Sequence, residues 1–307
     1  MSIRIMIAAS VVVALAIAAT DAAQTAPSTD VYLAPITLSG RAANGIAIVT
    51  PVNITHRQGY DNQPAFMADE RAVFYTSTRD DGQADIYRYE IATRRTTRVT
   101  ATPESEYSAT LMPGTNRFSV VRVERDSTQR LWSFAMDGSD PRLVLRSIKP
   151  VGYHAWLDPT HVALFVLGTP PTLQLATIGT EHVDTVARDI GRSLSAAGVG
   201  RVSFTTRAAD ADSGFLVSAV SLDRATGRPG ATVQLARIPA GAEYVVWAAP
   251  DYALTAAGSK LFVLRLGGTD ARWAEVADFA TDGIHHITRL AVSPNGHWLA
   301  MVADDGR

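Results

Sequence analysis

The feature that most constrains this chain is an internal repeat. The clearest unit is the segment 63–100, QPAFMADERAVFYTSTRDDGQADIYRYEIATRRTTRVT, in which apolar and polar residues alternate. The alternation predicts strands at 65–66, 72–77, 85–91 and 96–100, separated by turns at DER, DDG and ATR. Related units follow at intervals of roughly 40 to 50 residues, a period typical of propeller blades. They cover 107–145, 153–186, 192–236 and 243–280.

The sixth repeat is divided between the two ends of the chain. The segment 288–303, TRLAVSPNGHWLAMVA, predicts only two strands. Near the N-terminus, 30–37 (DVYLAPIT) aligns with the third-strand sequence 85–92 (DIYRYEIA), and 51–55 (PVNIT) aligns with 96–100 (TTRVT). The N-terminal strands would therefore complete the last blade and close the ring, which removes its free edges. The sequence predicts an all-β fold, a six-bladed β-propeller of four-stranded antiparallel blades.

The N-terminal segment has the pattern of a Sec-type signal peptide. Arg4 precedes an apolar run at 5–19 and a group of small residues. A run of about fifteen residues suits a signal peptide and is short for a bilayer span, although an uncleaved anchor is the alternative. We predict a signal peptide at 1–23, cleaved after Ala18, Ala22 or Ala23, and a single propeller domain at 30–307 with no membrane span.

Charge and cysteine content limit the partners and the location. The formal net charge is −2, which argues against a nucleic-acid partner. The chain contains no cysteine, so it has neither disulfides nor the lipidated cysteine of a lipoprotein. We therefore expect a periplasmic or secreted protein.

The segment 291–300, AVSPNGHWLA, resembles the S-P-D-G-x-x-[IL]-A signature of WD40-like repeats in TolB-type propellers, with Asn295 in place of the usual Asp. The segments 66–74, 111–119 and 156–164 look like eroded copies. The Pro-Asp-Gly corner makes a tight turn between two strands, so this signature is structural. The resemblance implies a periplasmic protein-binding module, although the family also includes gating domains of serine peptidases and catalytic propellers such as oligogalacturonate lyases. We expect no counterpart of the additional N-terminal α/β domain of TolB, and the sequence contains no G-x-S-x-G motif of serine hydrolases.

The candidate binding residues lie where the chain leads into each innermost strand. In a propeller these segments line one mouth of the central channel, and converging polar groups in a concave site are the usual sign of a ligand site. The predicted mouth residues are Asp61, Asn62, Glu104, Glu106, Tyr107, Tyr153, His154, Arg192, Tyr244 and His286.

A divalent metal site is an alternative use of the same mouth. His154 with His285 or His286 would supply imidazole, and Glu106, Glu104 or Asp61 a carboxylate, which suits zinc, manganese or iron. These ligands come from separate blades and follow no spacing motif. The other interpretation is that they are solvated mouth residues, with His154 partly packed beneath Trp156.

The sequence contains no recognisable catalytic nucleophile, which favours a binding function over an enzymatic one. We therefore predict a monomeric exported scaffold, without a cofactor, that binds a protein or peptide partner of the cell envelope at the propeller mouth. The alternative is a metal-dependent lyase or hydrolase acting on an anionic saccharide, with Arg192 binding the substrate carboxylate. A purely structural envelope component is a third interpretation.

Overall fold

The computed structural model describes residues 28–38, 45–79, 81–209, 214–267 and 272–304. They form six antiparallel sheets, and the innermost strand of each contacts that of the next, including the last with the first. The fold is a six-bladed β-propeller, as the repeat predicts. The signal peptide predicted at 1–23 lies outside the described residues. The helical structure in the described residues is a short 3-10 helix at Ala280–Asp282. No helix in this part of the chain is long and apolar enough to cross a membrane.

Blades 1 to 3 each follow the chain from the innermost strand outward. Blade 1 consists of β4 (Asp61–Phe66), β5 (Ala72–Thr78), β6 (Ala84–Glu90) and β7 (Arg95–Arg98). Blade 2 consists of β8 (Ser105–Leu111), β9 (Arg117–Val123), β10 (Gln129–Ala135) and β11 (Arg142–Leu143). Blade 3 consists of β12 (Val151–Trp156), β13 (His161–Val166), β14 (Thr172–Thr177) and β15 (His182–Arg188).

Blades 4 and 5 repeat this order, and blade 6 combines both ends of the chain. Blade 4 consists of β16 (Ile190–Ala196), β17 (Arg201–Arg207), β18 (Phe215–Ser221) and β19 (Val233–Arg237). Blade 5 consists of β20 (Val245–Ala249), β21 (Tyr252–Ala257), β22 (Lys260–Arg265) and β23 (Trp273–Asp278). Blade 6 consists of β24 (Arg289–Val292), β25 (Trp298–Asp304), β1 (Thr29–Leu38), β2 (Ile46–Ile48) and β3 (Val52–Asn53).

The strand β1 closes the ring, as the complementary terminal segments predict. It pairs with β25 in an antiparallel register that runs from Thr29 opposite Asp304 to Pro35 opposite Trp298. The outer position of blade 6 differs from the single strand expected at 51–55. It is shared by β2, which pairs with the end of β1, and β3, which pairs with its middle.

The same threonine–aspartate contact joins the third and fourth strands of blades 6 and 1. The Thr55 hydroxyl donates to Asp30 Oδ1 at 2.8 Å, and the Thr100 hydroxyl donates to Asp85 Oδ1 at 3.4 Å. Each threonine oxygen also accepts the backbone N–H of the residue after the aspartate, at 3.0 and 2.9 Å. The N-terminal segment thus has the contacts of an ordinary blade.

Apolar side chains of the described residues form six buried clusters, one between each pair of neighbouring blades. Between blades 1 and 2, for example, the ring of Phe118 lies 4.9 Å from that of Phe74 and 5.7 Å from that of Phe134. All three are fully buried. Because burial of apolar area is the main favourable term in folding, these clusters hold the blades in a closed ring around the axis.

Candidate functional site

A cavity of about 470 Å³ lies on the axis of the ring, lined by the innermost strands of all six blades. Its two ends differ in chemistry. At the face where the innermost strands begin, which we call the start face, the lining includes Tyr153, Arg192, Tyr244 and Arg289. Toward the opposite face it is mostly apolar and aromatic, with Phe66, Leu111, Trp156, Trp247 and Val292.

Arg289, the first residue of β24, is held by two tyrosines from other blades. Its guanidinium carbon lies 4.3 Å from the ring centre of Tyr244 and 4.8 Å from that of Tyr153, distances typical of cation–π contacts. Its Nη2 group also donates a hydrogen bond to the Tyr244 hydroxyl at 3.0 Å. Within the described part of the chain, no carboxylate forms an ion pair with Arg289.

The second arginine of the lining is neutralised by a neighbouring acid. Arg192 Nε and Nη2 donate to the two carboxylate oxygens of Glu243 at 3.2 and 3.0 Å, and the backbone N–H of Arg192 donates to the same group. This fork-to-carboxylate geometry is the strongest form of an arginine ion pair. Of the residues that the structure describes along the cavity wall, none is an Asp or Glu. Arg289 therefore sets the charge of the lining.

Tyr60 and Tyr244 remain protonated at neutral pH. Burial raises the pKa of Tyr60 to about 12, against the opposing effect of the positive charge on Arg289. Burial also raises the pKa of Tyr244, again opposed by Arg289. Both hydroxyls are thus available as hydrogen-bond donors.

His154 lines the middle of the cavity as a neutral, buried side chain. Its Nε2 lies 2.7 Å from Ser119 Oγ, and the same oxygen accepts the indole N–H of Trp156 at 2.8 Å. Burial lowers the pKa of His154 to about 3. The Nδ1 atom is buried and has no hydrogen-bond partner among the described residues. His154 and Trp156 are thus joined through Ser119, a contact that the predicted packing of His154 beneath Trp156 did not include.

The predicted acids of the mouth point into the blades and not into the cavity. Asp61 is fully buried and pairs with Arg57 at 3.0 Å. Glu106 is also fully buried and pairs with Arg122 at 3.0 Å, and Glu104 binds the same guanidinium at 3.0 Å. A buried carboxylate is costly unless it is paired, so these acids serve the structure of blades 1 and 2. Burial nevertheless raises the pKa of both Asp61 and Glu106.

Some of the other predicted mouth residues line the cavity, and the rest lie outside it. Asn62 is buried, and Tyr107 packs against the cluster between blades 2 and 3. His286 is exposed, and its Nδ1 lies 2.6 Å from Asp304 Oδ2. Of the ten predicted mouth residues, four line the cavity, namely Tyr153, His154, Arg192 and Tyr244.

The sequence prediction missed Arg289. The mouth residue predicted for blade 6 was His286, three positions before Arg289. A signal was present, because Arg289 is a charged residue within a strand otherwise made of Leu, Ala and Val, in the blade position closest to the axis.

The candidate metal ligands do not fit a shared site. Among the described residues, no three His, Asp or Glu side chains lie close enough together to hold a metal ion. His154 is bound to Ser119, Glu106 to Arg122 and His286 to Asp304. His285 is exposed at the surface of the ring.

Comparison with known family models finds no match. Among solved structures, a putative TolB from Agrobacterium tumefaciens is similar, with a TM-score of 0.62 and 10% sequence identity over 91% of this chain and 98% of that chain. A gluconolactonase from Xanthomonas campestris gives a TM-score of 0.62 and 9% identity over the same shares. An oligogalacturonate lyase in complex with manganese gives 0.54 and 13% identity, over 85% of this chain and 80% of that one.

TolB from Acinetobacter baumannii gives a TM-score of 0.50 and 18% identity, over 67% of this chain and 52% of that one. Identities this low concern the fold alone, and similar folds carry unrelated activities. The chain thus has the six-bladed propeller fold of TolB-type structures, as its repeats predict.

Proposed function

We propose that this protein is an exported binding scaffold whose central cavity receives a segment of a partner protein or peptide in the cell envelope. The observation that carries this proposal is the cavity itself, which is polar at the start face and apolar toward the opposite face. Its volume of about 470 Å³ lies within the range of roughly 300–1,000 Å³ that is usual for ligand sites. Its walls are strands of six hydrogen-bonded sheets, so the site is formed before the ligand arrives.

Two further features support the proposal. The apolar run at 5–19 has the length of a signal-peptide core, which favours an extracytoplasmic location. Three of the side chains predicted as metal ligands, His154, Glu106 and His286, are engaged in separate contacts, which disfavours the metal-dependent lyase. Binding is therefore the function that the geometry supports best.

Site-specific photocrosslinking in intact cells tests the proposal. The photoreactive residue p-benzoylphenylalanine replaces Leu194, which lines the cavity in β16, or Val233, which is exposed on the outer strand β19 of the same blade. We expect a discrete adduct with a partner from position 194 and none from position 233. Equal adducts from both positions, or none from position 194, would contradict a cavity-based binding function.

A further inference from the structure

We propose that the start-face end of the cavity binds a carboxylate whose apolar body extends along the cavity. The group is either the free C-terminus of an apolar peptide segment or the head of a free aliphatic acid. This inference rests on the proposed binding function and names the chemistry of its ligand.

The sign of the ligand charge follows from Arg289. The charged residues that line the cavity in the described ranges are Arg192 and Arg289, and only Arg192 forms an ion pair with a carboxylate. A guanidinium that is partly removed from water strongly favours an anionic partner, because water screens the attraction less there. Together with the Glu243 carboxylate that neutralises Arg192, these groups give the start-face end of the cavity a net charge of one positive unit, which matches a monoanion.

The donors that would hold the anion are already oriented. A guanidinium carries five N–H donors in a planar fork, and Tyr244 accepts from one nitrogen of Arg289. The Tyr244 oxygen is the acceptor of that bond, so its own hydrogen remains free to donate elsewhere. The two aromatic rings fix the guanidinium plane, which leaves its remaining N–H groups and the Tyr244 hydroxyl as donors for one carboxylate.

The shape of the ligand follows from the remaining lining. Beyond Arg289 the cavity wall continues with Ala291 and Val292 of the same strand and with Leu194 and Val246 from neighbouring blades. Apolar surface of this kind favours an aliphatic body over a sugar, whose hydroxyl groups would lose their hydrogen bonds to water. An aliphatic carboxylate therefore fits the cavity, with its charged group at Arg289 and its apolar body along the apolar part of the wall.

Calorimetric titration with a matched pair of probes tests the inference. The probes are the acetylated tetrapeptide Ala-Val-Ala-Leu with a free C-terminal carboxylate and the same peptide with a C-terminal amide. We expect the acid to bind about tenfold more tightly than the amide or better, as for a charge-assisted hydrogen bond. Arg289→Gln should abolish the difference, while Arg289→Lys, which keeps the charge but not the fork, should retain part of it.

The control is Arg207→Gln, which removes an arginine that stacks on Phe215 outside the cavity. It should leave the affinities for both probes unchanged. Thermal unfolding of each variant establishes that it is folded. Equal affinities for acid and amide, a difference that survives Arg289→Gln, or no binding of either probe would overturn the inference.

Octanoate distinguishes the two sources of the carboxylate. Binding of octanoate with the same dependence on Arg289, in competition with the peptide, would support a free aliphatic acid. Binding of the peptide acid alone would support a protein C-terminus. The crosslinking experiment separates this inference from the broader function, because an adduct from position 194 that persists in Arg289→Gln would contradict the carboxylate and leave the binding scaffold intact.

Discussion

His297 Nδ1 lies 2.6 Å from Glu70 Oε2, which joins two residues 227 positions apart in the chain. Glu70 also accepts the backbone N–H of Asn295 at 2.6 Å. Glu70 belongs to a turn of blade 1, and both partners belong to the turn between β24 and β25 of blade 6. The first and last blades are therefore fastened by polar contacts, in addition to the pairing of β1 with β25.

We expect Glu70→Gln to lower the free energy of unfolding by about 1–2 kcal/mol, because hydrogen bonds to a charged acceptor are roughly twice as strong as neutral ones. Denaturant unfolding measures the loss. The control is Glu275→Gln, which affects an exposed pair with Lys260 and should cost at most about 0.5 kcal/mol. Equal losses in the two variants would show that the Glu70 contacts do not contribute to ring closure.

Thr55 and Thr100 have equivalent contacts in blades 6 and 1, so Thr55→Val and Thr100→Val should both destabilise the protein. We expect about 1–3 kcal/mol in each case, with the larger loss for Thr100, which is fully buried. Thr93→Val, in an exposed turn of blade 1, is the control. If Thr100→Val lowered the free energy of unfolding and Thr55→Val did not, the N-terminal strands of blade 6 would not be equivalent to the outer strands of blade 1.

The buried imidazole of His154 should make stability depend on pH. Burial lowers the pKa of His154 to about 3, against about 6.5 in the unfolded chain. Below pH 6.5 the unfolded chain therefore takes up a proton that the folded protein does not, so stability falls as the pH falls. Between pH 7 and pH 5, the wild-type protein should lose about 2 kcal/mol more than His154→Gln.

Denaturant unfolding at the two pH values measures this difference, and the exposed His285 provides the control variant His285→Gln. The control should lose the same stability as the wild-type protein over this range. Parallel losses in the wild-type protein and His154→Gln would show that His154 is protonated in the folded state.

Glu243→Gln should increase the affinity of the cavity for a carboxylate. The substitution removes the acid that neutralises Arg192, so the start face gains a second uncompensated cation. We expect the acetylated peptide acid to bind up to about tenfold more tightly at low salt, with a smaller gain at physiological salt. Calorimetry with the amidated peptide should show no gain. An unchanged or lower affinity for the acid would indicate that Arg192 does not contribute to the field in the cavity.

The sequence predicted the scaffold well because the blade is a repeated local pattern. The alternation of apolar and polar residues indicates the strands. The match of 30–37 with 85–92 reflects the threonine–aspartate contact that blades 6 and 1 share. The division of the outer strand of blade 6 into β2 and β3 was not predictable, because that outer strand has few contacts to constrain it.

The site was predicted only in part, because the direction of a side chain depends on local irregularities of the strand that the alternation of apolar and polar residues does not indicate. Gln63 and Ser108 adopt positive φ values of 56° and 57°, and the strand register shifts next to each of them. These irregularities lie directly after Asn62 and Tyr107, two of the predicted mouth residues. The arginines that bind Asp61 and Glu106 likewise could not be assigned from the sequence, since they depend on which side chains meet in the folded blade.

The most direct test of the central claim is to fill the cavity and measure whether the partner is lost. Ala196 is exposed to the cavity at the end of β16, so Ala196→Trp should occupy its volume without disturbing a blade core. The measured quantity is the yield of the crosslinked adduct from position 194, with Val233→Trp on the outer strand as the control. We predict that Ala196→Trp abolishes the adduct and Val233→Trp preserves it. An undiminished adduct in a folded Ala196→Trp variant would contradict binding within the cavity.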